Sequence, residues 1–317
     1  SLNAGTYYMY AVIDATTNYN GKTTAASSFT ISQATGTVTL TPNSGSVAYG
    51  TGSTTFKATT NSGTLSVTDD HGTATVSISN GTVTISTLSA LNAGTTIKVT
   101  VSAAANTNYT AASAVYTLTI TQAAGKVTLT PATGTVTYGT ASKTFTATTN
   151  AGTLSVADDH ATATVAISNG TVTISTLAAI NAGTTIKVTV SAAASTNYTA
   201  ASAVYTLTIE KATGTVTLTP TSGSVTYGTA SKTFKATTNS GTLSVTDDHG
   251  TATVAISNGT VTISTLSAIN AGTAIKVTVS AAASTNYTAA SAIYTLTITK
   301  ANISPTVSMT GYTYAGT

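Results

Sequence analysis

An 89-residue repeat sets the frame for everything this chain can fold into. Pro42, Pro131 and Pro220 recur at that spacing, as do Tyr49, Tyr138 and Tyr227, His71, His160 and His249, and Tyr109, Tyr198 and Tyr287. Three full units follow, at residues 34–122, 123–211 and 212–300. The second and third differ at few positions, mostly by exchanges among Ala, Ser and Thr. Ahead of them, Leu2-Asn3-Ala4-Gly5-Thr6, Asn18-Tyr19 and Phe29-Thr30-Ile31 echo Leu91-Asn92-Ala93-Gly94-Thr95, Asn108-Tyr109 and Leu118-Thr119-Ile120. Residues 1–33 therefore read as the C-terminal part of a preceding, divergent β module. Ala301-Asn302-Ile303 begins another unit and then departs from the pattern, so residues 301–317 read as the start of a further, divergent module. The chain reads as a slice of a longer array.

Within a unit the apolar period is two, the signature of a strand with one buried face. Val38 and Leu40 alternate with threonines, Ile97, Val99 and Val101 with Lys98 and Thr100, and Tyr116, Leu118 and Ile120 with Thr117 and Thr119. Asn80-Gly81 sits between two alternating runs, Thr75–Ser79 and Thr82–Ile85. That dipeptide favours a type I′ turn whose twist matches the flanking strands. The predicted hairpin pairs Ile78 with Val83 and Val76 with Ile85, which puts all four side chains on one face. Further segments near Val47–Tyr49, Thr55–Thr59 and Leu65–Val67 bring the count to about seven or eight strands per unit, a number typical of one sandwich domain. The fold class is all-β: tandem immunoglobulin-like antiparallel β-sandwich modules, each a separate cooperative unit with Phe56, Val76, Ile78, Val83, Ile85, Val99 and Leu118 inside. The joints, such as Thr121-Gln122-Ala123-Ala124-Gly125, are short and lack the Gly/Ser run of a flexible linker. They predict modules stacked end to end as an elongated rod.

Composition narrows the function. Charged residues make up 6% of the chain, and Cys is absent, which excludes a disulfide framework and a thiolate metal site. The net charge of +3 comes from scattered lysines with no Arg among them, a poor basis for binding nucleic acid. No run approaches the ~18 apolar residues of a membrane span. Ser1–Tyr10 lacks the charged start and cleavage site of a signal peptide, so an export signal is expected elsewhere.

The pattern Asn258-Gly259-Thr260-Val261-Thr262-Ile263, then Asn270-Ala271-Gly272-Thr273 leading into Ile275-Lys276-Val277-Thr278-Val279, and finally Asn286-Tyr287-Thr288-Ala289-Ala290-Ser291, resembles bacterial Ig-like repeats of large adhesins and cell-surface proteins. The likeness covers essentially the whole chain. It implies an extracellular location on a bacterial surface, a spacer or stalk role with binding carried by other regions, no catalytic residues and no cofactor. Partners implied are the neighbouring modules and, through other regions, host or surface glycans and proteins. The alternative is that the repeats themselves bind weakly and gain by avidity.

Candidate chemistry concentrates at Asp69-Asp70-His71, Asp158-Asp159-His160 and Asp247-Asp248-His249, which hold six of the eight acidic residues and all three histidines. Asp69, Asp70, Asp158, Asp159, Asp247 and Asp248 are the candidate Ca²⁺ ligands, but each loop lacks a third acidic residue or an EF-hand-like run. A solvated turn, where Asp and His bond to nearby backbone, is the preferred reading and no metal is expected. Lys98, Lys187 and Lys276, the lysines common to all three units, could enter an isopeptide crosslink. Their parity places them on the Thr face, away from the core. Asn80-Gly81-Thr82 and Asn108-Tyr109-Thr110 match glycosylation sequons but read as turn residues. Tyr49, Tyr109, Tyr116 and their counterparts could stack on sugars, but one or two per module are expected as core members with a hydrogen-bonded hydroxyl.

Overall fold

The alternation of apolar and hydroxylated residues becomes strand throughout the three repeats. The computed structural model describes residues 1–308, 310–311 and 313–315. These form two compact units, one of Ser1–Thr128, Thr148–Ser155 and Val190–Ala203, the other of Leu129–Ala147, Val156–Thr189 and Val204–Thr317. The first repeat falls wholly in the former and the third wholly in the latter. Strands of the second repeat contribute to both.

In the first unit, residues 1–33 carry four short strands, β1 (Gly5–Met9), β2 (Val12–Ile13), β3 (Lys22–Thr23) and β4 (Ser27–Ile31). They pair as two separate ribbons, β1 with β4 and β2 with β3. The first repeat supplies β5 (Val38–Thr41), β6 (Ser44–Ala48), β7 (Thr54–Thr60), β8 (Leu65–Asp69), β9 (Thr75–Ser79), β10 (Thr82–Ser86), β11 (Thr96–Ala103) and β12 (Ala112–Thr121). One sheet has the order β5-β7-β10-β9 and the other β6-β12-β11-β8. This is the two-sheet arrangement of an immunoglobulin sandwich.

The β9–β10 hairpin has the register that Asn80-Gly81 dictates, with Ile78 opposite Val83 and Val76 opposite Ile85. Asn80 and Gly81 take φ of 47° and 70°, the positive values a type I′ turn demands. Phe56, Val83, Ile85, Val99 and Leu118 are buried as expected, while Val76 and Ile78, on the edge strand β9, are partly buried against them. The expectation of a wholly antiparallel sandwich is corrected at one place. β6 runs parallel to β12, from Ser44 beside Thr117 to Ala48 beside Thr121. The chain crosses between sheets at Thr41–Pro42, so the entry segment serves both: β5 pairs antiparallel with β7, and β6 lies along the exit strand.

The core also contains an aromatic stack that alternation alone does not reveal. Phe56 and Tyr116 lie face to face, centroids 3.9 Å apart and planes 6° from parallel. The Tyr116 hydroxyl reaches Gly45 on β6, where a Cβ would collide with it. This explains why a strand otherwise made of Ser, Val and Ala holds a glycine there.

In the second unit the third repeat reproduces this plan from Val216–Thr219 to Ala290–Thr299, with the parallel pair Ser222–Thr226 and Thr295–Thr299. Its core includes Phe234, Val261, Ile263, Val277, Tyr294 and Leu296. The eight strands of the second repeat have the same two sheet orders. The described residues past Thr299 carry no strand.

Candidate functional site

The three acidic loops turn inward on their own repeat. At the end of β8, Asp69 Oδ1 accepts the His71 N–H at 2.9 Å, closing a turn of the kind Asp favours. Asp70 Oδ1 accepts the Lys98 N–H of β11 at 2.8 Å, while the Asp70 N–H donates to the Lys98 carbonyl at 3.2 Å. His71 Nδ1 accepts the Thr73 N–H at 3.4 Å. Asp158 and Asp159 repeat the pattern on His160 and Lys187, and Asp247 and Asp248 on His249 and Lys276. Each carboxylate thus satisfies a backbone donor within its own repeat, which accounts for the clustering without a cation. Among the described residues, no three His, Asp or Glu side chains come together as a metal site.

Lys98, Lys187 and Lys276 are exposed between buried neighbours on their strands, as parity predicts. One shallow concavity in the first repeat is lined by the small residues Ser102, Ala103 and Ala111–Ser113, and another by Thr60, Leu65, Ile78 and Asn80. Among the described residues, no helix is long and apolar enough to cross a membrane.

Two groups of tyrosines stand out. Tyr116, Tyr205 and Tyr294 are core members, and burial raises the pKa of each above 10.0. Contrary to expectation, the Tyr205 and Tyr294 hydroxyls are buried without a hydrogen-bond partner. Each lies against a glycine, Gly134 or Gly223, at which a Cβ would collide with the hydroxyl. The other group, Tyr49, Tyr138, Tyr198 and Tyr287, is half-buried and lies at the joints between repeats.

Those joints hold the most organised polar geometry in the chain. In the first unit, Asn197 of the second repeat reaches back to the Asn92-Ala93 turn of the first. Its Oδ1 accepts the Ala93 N–H at 2.9 Å and its Nδ2 donates to Asn92 Oδ1 at 3.0 Å. Beside it the Tyr49 and Tyr198 rings meet edge to face, centroids 5.5 Å apart. In the second unit, Asn286 makes the same two bonds to Ala182 and Asn181, at 2.9 and 3.0 Å, and Tyr138 meets Tyr287 at 5.6 Å. Asn108 holds Ala4 and Asn3 in the same way, at 2.8 and 3.0 Å. Gly94, at φ 92°, shapes the turn that presents Asn92 and Ala93, a conformation other side chains resist.

The same loop also grips the connecting segment. Ala123 donates to the Asn197 carbonyl at 2.9 Å and accepts from the Thr199 N–H at 3.0 Å, and Ala34 and Ala212 do likewise with Asn108 and Asn286 and with Thr110 and Thr288. The residue before each alanine adds a bond: Gln33 Nε2, Gln122 Nε2 and Lys211 Nζ donate to the carbonyls of Asn106, Ser195 and Ser284, each at 2.7 Å. Gln and Lys are interchangeable here because only a long donor is needed. A tyrosine pair of this kind is worth about 0.5–1.5 kcal/mol beyond the area it buries. Sequence reasoning read Asn108-Tyr109 as a turn; the available signal was the recurrence of Asn-Ala-Gly and Asn-Tyr together in every repeat.

No family model matches the chain, and no curated protein matches it. Solved structures that resemble it include the I9–I11 tandem of titin, at 12% identity over 84% of this chain and 100% of that one, with a TM-score of 0.27. Sidekick-1 immunoglobulin domains 1–5 share 16% identity over 94% of this chain and 67% of that one, with a TM-score of 0.30. Drosophila N-cadherin EC1–4 shares 10% identity over 94% and 83%, with a TM-score of 0.31. The sheet orders of this chain, rather than likenesses at this level, identify its sandwich fold.

Proposed function

We propose that this chain is a segment of the stalk of a bacterial extracellular surface protein, in which residues 34–122, 123–211 and 212–300 are three load-bearing modules set in series. The observation that carries this reading is the position of the parallel strand pair. β6 lies near the start of the first repeat and β12 at its end, so pulling the two ends apart slides these strands along each other. All the rungs from Ser44–Thr117 to Ala48–Thr121 then share the load at once. Hydrogen bonds loaded together in shear resist more than rungs opened one at a time. The corresponding pairs Thr133–Thr137 with Thr206–Glu210, and Ser222–Thr226 with Thr295–Thr299, give the other repeats the same arrangement.

Other features support a structural role. The repeats differ little, none carries a loop insertion, and the acidic residues are engaged with backbone of their own repeat. The neighbouring modules are the partners this reading requires. Glycan or protein binding falls to other regions of the assembly, and no cofactor takes part.

Small-angle scattering of the 317-residue chain tests the reading. Modules roughly 35–45 Å long, set in line, give a maximum dimension well above 100 Å and a skewed distance distribution. A compact, symmetric distribution contradicts it. Strong, repeat-number-dependent retention on a glycan array instead favours adhesive repeats.

A further inference from the structure

We propose that Asn108, Asn197 and Asn286 are positioning residues that lock each repeat to the one before it at a fixed angle and twist. The inference rests on the stalk reading and specifies how such a stalk is kept stiff.

The geometry leaves little choice in how the side chain is used. The Ala182 N–H can only donate, so the Asn286 oxygen must face it, and the Asn286 amide nitrogen is thereby turned toward Asn181 Oδ1. Two bonds to adjacent residues, one to backbone and one to a side chain, fix direction as well as distance. A single bond leaves rotation free. The same pair of bonds appears at residues 3–4, 92–93 and 181–182, with lengths that agree to within 0.1 Å. Meanwhile Ala212 is paired to the backbone on both sides of Tyr287, and Lys211 is tied to Ser284. The connector therefore lies along the loop that carries the asparagine and cannot act as a free hinge. The Tyr138–Tyr287 contact closes a second side of the joint. Asn carries its acceptor and its donor on two separate atoms of one short side chain, whereas Ser has a single oxygen for both roles, ionised Asp has no donor and Ala has neither.

The chain has no Cys, so Lys187→Cys and Lys276→Cys place two unique spin labels on exposed strand positions in the second and third repeats. Pulsed electron resonance on the full chain should give one narrow distance distribution. Asn286→Ala should broaden it by about twofold or more, as expected when a joint loses its orienting contacts. Asn181→Asp, which keeps an acceptor oxygen for Asn286, should leave it narrow, and Asn181→Ala should broaden it less than Asn286→Ala. Denaturation midpoints of all variants should match the parent, showing that the sandwiches are intact. If Asn286→Ala folds poorly, the Asn181 pair decides alone: equal widths for Asp and Ala overturn the lock. A distribution as narrow in Asn286→Ala as in the parent, or already broad in the parent, also overturns it. Scattering judges the stalk reading separately, because an extended but flexible chain keeps the stalk and loses the lock.

Discussion

Two polar loops recur in every repeat and use the same chemistry at different addresses. In Asp69-Asp70-His71 the side-chain oxygens accept backbone N–H groups of His71 and Lys98, both in the same repeat. In Asn106–Thr110 the Asn108 oxygen accepts the N–H of Ala4, which precedes the repeat altogether, and Asn197 and Asn286 accept from Ala93 and Ala182 of the previous repeat. The acidic loop is the more conspicuous in sequence, since it gathers six of the eight acidic residues, yet it stabilises only its own repeat. The asparagine loop looks like ordinary turn composition, yet it spans the joint. What a recurring polar residue does here depends on where its partner lies, and clustering of charge is no guide to that.

The contrast between contacts within a repeat and contacts across a joint can be tested by their effects on folding. The largest effect belongs to the interior. Gly223→Ala sets a Cβ into the Tyr294 hydroxyl and should destabilise the third repeat by about 1–3 kcal/mol, the range for overpacking, measured by denaturant unfolding. Asp248→Ala strips the Lys276 N–H of its acceptor and should cost about 1 kcal/mol, whereas Asn286→Ala should move the same transition by less than about 0.5 kcal/mol. If the two cost the same, the distinction between the loops fails.

A smaller effect appears at high pH. Burial raises the folded pKa of Tyr116, Tyr205 and Tyr294 above 10.0, so the unfolded chain loses these protons first. Their contribution is fully present below pH 10.0 and is lost as pH rises toward the folded values. Changing all three to Phe should flatten that decline. The smallest effect concerns cations. Adding EDTA or Ca²⁺ should shift the melting temperature by less than about 1 °C, because the carboxylates already serve backbone donors. A large shift with either reagent shows that Asp69, Asp70 and their counterparts coordinate a cation after all.

Much of the sandwich was legible where the signal is local. Asn80-Gly81 fixes the turn, alternation fixes the register on both sides of it, and parity places Lys98 outward between Ile97 and Val99. Features that depend on distant partners were not legible. Nothing within Ser44–Ala48 says that it lies parallel to Thr117–Thr121, since a strand's own sequence does not name the strand it pairs with. Gly45 reads as a turn or strand-weakening residue until the Tyr116 hydroxyl is found against it. The asparagine contacts run between positions 104 and 105 apart in sequence, and only the folded joint brings them together.

The central claim is that each repeat is a closed load-bearing unit in series with its neighbours, and pulling the 317-residue chain from its ends in a single-molecule force experiment tests it most directly. The account predicts three abrupt unfolding events of similar force. Each should lengthen the chain by about 28 nm, the extended length of one 89-residue repeat less its folded length. Gradual extension without discrete events, or steps that match no whole repeat, contradicts it.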